Sequence, residues 1–96
     1  MDDSHPVASA LELFFVDEDD AEGVRALTAQ LGHQPVQARA LQRAWSLVLA
    51  AKDAEAAVAL VEQFANRNVG ASGERALEWL AETYRRLDPL WESTEA

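Results

Sequence analysis

The order of apolar and polar residues divides the 96-residue chain into a short apolar run followed by several helical stretches. Residues 11–16, LELFFV, are rich in aliphatic and aromatic side chains, which is typical of a β-strand. The next element is predicted to be a helix with Asp17 as its N-cap and the acidic residues 18–20 in its first turn, where the helix dipole favours negative charge. Gly32 is predicted to follow the last turn of this helix.

Residues 36–51 are compatible with two different structures. Two short strands, 36–41 and 45–51, would point Trp45, Leu47 and Leu49 to one side of a sheet, because side chains alternate along a strand. A single helix beginning at Pro35 is the alternative, since proline suits the first helical position and the segment is rich in good helix formers. We favour the strands, although the turn between them contains neither Gly nor Asn.

Two further helices are predicted in the C-terminal half. Asp53 is expected to cap a helix over residues 54–67, and Ser72 or Gly73 is expected to begin another that continues to residue 87. Both segments repeat apolar residues at spacings of three and four, which is the pattern of an amphipathic helix. Pro89 ends the last helix, and residues 90–92 are predicted to add a short edge strand.

This order, β-α-β-β-α-α, predicts an α+β fold of the ferredoxin-like split β-α-β type. We expect one domain over residues 9–92, with flexible tails at residues 1–8 and 93–96. The core of the sheet would be formed by Leu11, Leu13, Phe15, Trp45, Leu47 and Leu49. An all-α helical bundle is the alternative if residues 36–51 are helical.

The net charge of −9 is concentrated at one end of the chain. Residues 1–22 contain eight acidic residues and no Lys or Arg. This argues against direct nucleic-acid binding, which is normally carried by basic surfaces, and favours a basic protein partner. With no cysteine, no membrane-length apolar stretch and no basic residue near the N-terminus typical of a secretory signal, we expect a cytoplasmic protein.

The sequence offers little that could support catalysis or metal binding. Counting from Glu18 places acids and Gly23 where a calcium-binding EF-hand loop requires them, but positions 9 and 12 are Ala26 and Ala29 and supply no ligand. Ser46 lacks the G-x-S-x-G context of a nucleophile. His33 follows a helix end, where the helix dipole favours a histidine without any catalytic role. We therefore expect no enzyme activity, no catalytic residue, no cofactor and no metal.

Residues of two kinds are candidates for contact with a partner. Trp79 and Trp91 are either packed inside the domain or exposed as aromatic anchors, the kind of residue that dominates binding energy. Phe14, Val16 and Val48 would form an apolar patch on the open face of the sheet, suited to a homodimer or a partner. The complete predicted set is Asp17, Glu18, Asp19, Asp20, Glu22, Trp79, Trp91, Phe14, Val16 and Val48.

Three segments together resemble a known family. They are FFVDEDDAEGVRALTAQLG (14–32), AWSLVLAAKD (44–53) and LEWLAETYRRLDPLW (77–91). Their order is similar to that of the regulator of ribonuclease E activity, type B. The resemblance implies an acidic, cytoplasmic α/β protein that binds ribonuclease E and reduces its activity. The chain departs from the family at residues 88–91, Asp-Pro-Leu-Trp, where the family has Asp-Gly-Trp.

The expected function is that of a non-enzymatic, acidic binding protein. It would regulate or inhibit a basic, nucleic-acid-handling partner, and the resemblance implies that this partner is a ribonuclease. One alternative is an immunity or phage-type inhibitor that neutralises a toxin, a nuclease or another nucleic-acid-binding machine. A second alternative, tied to the helical interpretation of residues 36–51, is an all-α structural or adaptor module.

Overall fold

A computed structural model describes residues 4–93, and every regular element in that range is helical. The helices are α1 (Ser4–Phe14), α2 (Asp20–Leu31), α3 (Pro35–Ala51), α4 (Ala54–Ala59), α5 (Gly73–Arg86) and α6 (Asp88–Ser93), with a π-helical turn (Leu60–Phe64) continuing α4. No strand occurs between residues 4 and 93, so the predicted α+β, ferredoxin-like fold is wrong. The alternative of an all-α domain describes the architecture.

The apolar run at residues 11–16 is the end of a helix rather than a strand. Val7 and Leu11 are fully buried, and Phe15, just past the helix, is buried with them, a spacing of four residues that marks one helical face. The preceding SHPVASA supplies the first turns of α1. Residues 4–8, which were predicted to belong to a flexible tail, are therefore part of a helix. Residues 1–3 and 94–96 lie outside the described part.

Helix α2 is present as predicted, but it begins later. Its N-cap is Asp19 instead of Asp17, and the Asp19 Oδ1 accepts a hydrogen bond of 2.8 Å from the Glu22 backbone N–H. Asp20 and Glu22 are the acidic residues of its first turn, where the N–H groups and the dipole stabilise them. Gly32 caps the C-terminus in a right-handed conformation.

The two strands predicted within residues 36–51 are a single 17-residue helix, α3. Pro35 occupies its first turn, where a missing N–H costs nothing. The buried face consists of Ala38, Leu41, Ala44, Trp45 and Val48. This spacing follows the 3.6-residue period, so Leu47, which a strand would have placed beside Trp45, points away from the core. Leu49 lies one helical turn after Trp45, is half-buried and packs against the core.

The C-terminal half forms a close pair of helices. Asp53 caps α4, as predicted, and Ser72 caps α5 through its hydroxyl, which accepts from the Arg75 N–H. Gly73 allows the two helices to approach closely, since a Cβ built there would lie 2.2 Å from the Ala54 Cβ. The edge strand predicted for residues 90–92 is the middle of α6, a short helix in which Pro89 occupies the first turn.

The core centres on α3, which packs against α1, α2, α5 and α6 and contributes the fully buried Trp45. Its indole Nε1–H donates a 3.0 Å hydrogen bond to the Leu80 carbonyl of α5, so the buried polar group is satisfied. Three members of the predicted sheet core are buried here: Leu11, Phe15 and Trp45. Leu13 and Leu47 are instead exposed, by 75% and 43%, because helical geometry turns them away from the core.

Candidate docking surface at the acidic turn

Residues 15–19 connect α1 to α2 and are called the acidic turn here. Phe15 is fully buried beneath the turn, whereas the side chains of Asp17, Glu18 and Asp19 are exposed. The turn continues the last turn of α1, because the Phe15 N–H donates to the Leu11 carbonyl and the Glu18 N–H to the Phe15 carbonyl. At its other end Asp19 caps α2. Both ends are therefore fixed by local hydrogen bonds.

An arginine in the loop after the π-helical turn, Arg67, stabilises the acidic turn through hydrogen bonds to its backbone. The Arg67 guanidinium donates to the backbone carbonyls of Phe15 and Glu18, and through Nε to Asp20 Oδ1 at 2.9 Å. It also donates to the Ala65 carbonyl of its own loop at 2.7 Å. A planar guanidinium has five donors in a fixed arrangement and can satisfy several acceptors at once. Arg67 thus joins two loops that are about 50 residues apart in the chain.

Trp79 of α5 completes this cluster. Its ring packs edge-on against Phe15 with centroids 5.7 Å apart, and the Arg67 guanidinium carbon lies 5.8 Å from the centroid of the indole. The indole Nε1–H donates to Asp20 Oδ2 at 3.2 Å. The two oxygens of Asp20 therefore bind Arg67 and Trp79 separately. The sequence predicted Asp20 and Trp79 as partner contacts independently, and the structure joins them in one internal network.

Gly23 in α2 makes room for this packing. A Cβ at this position would lie 2.4 Å from Cδ2 of the Phe15 ring, a distance at which something must move. Glycine in a helix interior is unfavourable by about 1 kcal/mol relative to alanine, so its presence here reflects the close approach of the ring. The position that resembled the glycine of a calcium-binding loop is instead a contact point between α2 and the acidic turn.

The cluster separates the acids into two groups. Asp20 is held by Arg67 and Trp79, and Glu22 forms an exposed ion pair of 2.9 Å with Arg25. Asp17, Glu18 and Asp19 form no ion pair with any described residue, and they follow one another in the exposed part of the turn. Three adjacent carboxylates without a counter-charge in the described part of the chain produce a local negative potential that attracts a positively charged surface.

No protein-family model matches the chain, and neither does any curated protein or solved structure. Membership of the ribonuclease E regulator family therefore stays a prediction. The sheet that this resemblance implied is not found in residues 4–93.

The described residues contain neither a metal-binding cluster nor a membrane-spanning helix. Between residues 4 and 93 no group of three or more His, Cys, Asp or Glu side chains is arranged to hold a metal ion. No helix in that range has both the length and the apolar character that crossing a bilayer demands.

The remaining predicted contact residues lie away from the acidic turn or beneath the surface. Trp91 is 2% exposed, and its Nε1–H donates to the Tyr84 carbonyl at 2.9 Å, so the structure places it in the core. Val48 is buried within α3, while Phe14 and Val16 are half-buried. These three residues do not share the open face of a sheet, because there is no sheet in the described chain.

Sequence reasoning missed Arg67, the residue that organises the site. A single arginine in the loop of residues 66–72 carries no local signal, because its partners come from residues 15–20 and 79. The surplus of acid in residues 1–22, with no base among them, could have suggested that a distant arginine neutralises part of the block.

Proposed function

We propose that this protein is a non-enzymatic binding protein that regulates or inhibits a basic, nucleic-acid-handling protein by docking through its acidic turn. The observation that carries this proposal is the position of Arg67, which holds the backbone of the turn from the inside while Asp17, Glu18 and Asp19 face solvent. The guanidinium of Arg67 stabilises the backbone of the turn, whereas the carboxylates of the three acidic residues remain exposed at the surface.

A rigid charged turn is better suited to binding than a mobile one. Ordering a loop on association costs free energy, and a loop that is already held by internal hydrogen bonds avoids much of that cost. Exposed charges at the edge of an interface mainly accelerate encounter and select partners of opposite charge. The acidic turn would therefore contribute steering and register, and neighbouring apolar side chains would contribute most of the binding energy.

The net charge of −9 favours a basic, nucleic-acid-handling protein as the partner. Proteins that bind nucleic acid present Lys and Arg to the phosphates, so an acidic protein can occupy the same surface as a competitor. The proposal does not depend on ribonuclease E, because the helical fold gives the resemblance no support. A regulator of a host enzyme and an immunity-type inhibitor of a toxin would use the same surface, and identification of the partner separates them.

The experiment that tests the proposal is affinity capture from the native host with three forms of the full-length protein. The first is the wild type, and the second is the double charge reversal Asp17→Lys with Glu18→Lys. The third is the matched control Glu55→Lys with Glu92→Lys, which alters the net charge equally at exposed positions of α4 and α6. Captured proteins are identified by mass spectrometry, and their affinity for each form is then measured with the purified partner.

We expect the wild type and the control to capture the same basic, nucleic-acid-binding protein. The reversal in the turn is expected to weaken that complex at least about tenfold, since like charges would then face each other. A partner that binds the turn reversal as tightly as the wild type, or a partner whose binding surface is acidic, would contradict the proposal.

A further inference from the structure

The loop between the π-helical turn and α5, residues 66–72, carries Arg67 and has an unusual backbone conformation. Asn66, Gly70 and Ala71 have positive φ angles of 57°, 62° and 57°. Glycine and asparagine tolerate this left-handed region, but alanine is unfavourable there because its Cβ lies too close to the following carbonyl oxygen. Such a conformation persists only where the surrounding structure imposes it, and it is often found near functional sites.

The carboxylate of Glu62 holds the loop in this conformation. Its Oε2 accepts hydrogen bonds from the backbone N–H groups of Val69 and Ala71, at 3.3 and 2.9 Å. Hydrogen bonds to a charged acceptor are stronger than those between neutral groups, and the half-buried position of Glu62 reduces competition from water. No other described residue accepts a hydrogen bond from either N–H, so both depend on this carboxylate.

Glu62 belongs to the π-helical turn, which sets the direction in which the loop leaves the helix. The Ala65 N–H donates to the Leu60 carbonyl at 3.2 Å, five residues back instead of four. The turn therefore contains one residue more than an α-helical turn, and the chain leaves it in a direction that a continuous α-helix would not give. The Arg67 N–H then donates to the Val61 carbonyl at 3.0 Å. π-helical turns occur frequently at functional sites.

The backbone around Arg67 is thus fixed on both sides. Its own N–H is bound to the π-helical turn, and Glu62 binds the N–H groups two and four residues further along the chain. From this position the guanidinium reaches the carbonyls of Phe15 and Glu18 in the acidic turn. A short path of hydrogen bonds and backbone therefore connects the Glu62 carboxylate to the turn that carries the exposed acids.

We propose that Glu62 is a positioning residue for docking at the acidic turn, although it lies outside that turn. It holds the loop in the conformation from which Arg67 reaches the turn, and so keeps the turn ordered before a partner binds. The effect on binding rests on the proposed function, whereas the coupling between Glu62 and the turn is a property of the free protein. Because such coupling is reciprocal, a partner bound at the turn should also stabilise the loop.

Hydrogen exchange of the free, full-length protein tests the coupling. In Glu62→Ala the Val69 and Ala71 amides lose their acceptor, and we expect the Glu18 amide of the acidic turn to exchange at least about fivefold faster as well. Glu62→Gln removes the same charge but keeps an oxygen that can accept two hydrogen bonds, so it should retain most of the protection. The Gln34 amide, which is hydrogen-bonded between α2 and α3, is the reference and should be unchanged.

The same variants separate positioning from charge in the complex with the purified partner. We expect Glu62→Ala to raise the dissociation rate several-fold and to leave the salt dependence of the association rate unchanged, because the exposed acids that steer the partner are still present. Glu62→Gln should bind like the wild type. The matched control is Glu55→Ala, which removes one negative charge at an exposed position of α4 and should change neither exchange nor dissociation.

The results separate failure of this inference from failure of the proposed function. An unchanged Glu18 amide in Glu62→Ala, or a Gln34 amide accelerated by the same factor, would overturn the coupling, since the effect would then be absent or global. An unchanged dissociation rate, or a Glu62→Gln variant that behaves like Glu62→Ala, would overturn the positioning role. If exchange responds as expected but no basic partner binds through the turn, the coupling stands, while the proposed function and the role of Glu62 in docking are wrong.

Discussion

At the scale of single residues, Arg67 has the largest structural influence on the acidic turn. Its side chain is 22% exposed and binds three backbone carbonyls as well as the Asp20 carboxylate. Hydrogen bonds that involve a charged group contribute more than neutral ones, and leaving their acceptors unpaired is costly. The order of the acidic turn therefore depends on a residue that is distant in sequence.

Arg67→Lys should lower the free energy of unfolding by about 2 kcal/mol, although the charge is unchanged, because an ammonium group cannot reach the same set of acceptors. Denaturant unfolding followed by tryptophan fluorescence gives the stability. Hydrogen exchange at the Glu18 amide should accelerate, since the turn is released. Arg25→Lys, at an exposed ion pair of α2, should change neither quantity noticeably. An unchanged stability for Arg67→Lys would show that the turn is held by other contacts.

Gly23→Ala tests the packing of Phe15 under the turn. Alanine is the better helix former by about 1 kcal/mol, but its Cβ would collide with a fully buried ring. We expect a net loss of about 1–2 kcal/mol in the free energy of unfolding, since overpacking outweighs helix propensity. The same substitution in a Phe15→Leu background should cost less, because the smaller side chain leaves space. A stabilised Gly23→Ala single variant would contradict the described packing.

At the scale of the elements, the residues that cap a helix were easier to predict than whether an apolar segment forms a helix or a strand. Asp53 and Ser72 cap the helices for which the sequence proposed them, because a short acceptor before an amphipathic stretch is a local signal. The strands predicted within residues 11–16 and 36–51 are wrong, since a short apolar segment fits both a strand and a helix. Val7 belongs to the same buried face as Leu11, and only a longer window reveals the helical spacing.

The acidic site was predictable only in part, for a related reason. The surplus of acid at residues 17–20 is visible in composition. Which carboxylates are used internally depends on Arg67 and Trp79, which reach the turn only after the chain has folded. Asp20 was therefore grouped with Asp17 although their surroundings differ.

The N-caps of α2 and α4 are both aspartates that form the same type of hydrogen bond. Asp19 and Asp53 each accept a hydrogen bond from the backbone N–H three residues later, at 2.8 and 3.1 Å. Asp19→Ala and Asp53→Ala should each lower the free energy of unfolding by about 1 kcal/mol, and asparagine at either position should retain most of the stability. Thermal or urea denaturation measures this. If Asp19→Ala were neutral while Asp53→Ala is not, Asp19 would not be the cap of α2.

At the scale of the whole molecule, a compact helical domain carries an uneven distribution of charge. The radius of gyration is 12.3 Å, close to the roughly 12.5 Å expected for one compact domain of this length. The negative charge is concentrated towards the N-terminal end of the sequence, and its exposed members in the acidic turn have no counter-charge among the described residues. Such an arrangement is suited to attracting a basic partner over distances up to the Debye length.

The most direct test of docking through the acidic turn is the association rate of the purified partner, measured by stopped-flow mixing as salt is raised from about 0.05 to 0.5 M. Steering by the turn predicts that the association rate constant of the wild type falls at least about tenfold, with a much smaller change in the dissociation rate. The Asp17→Lys, Glu18→Lys variant should lose most of this dependence, and the Glu55→Lys, Glu92→Lys control should retain it. An association rate that is indifferent to salt, or equal in the two variants, would contradict docking through the acidic turn.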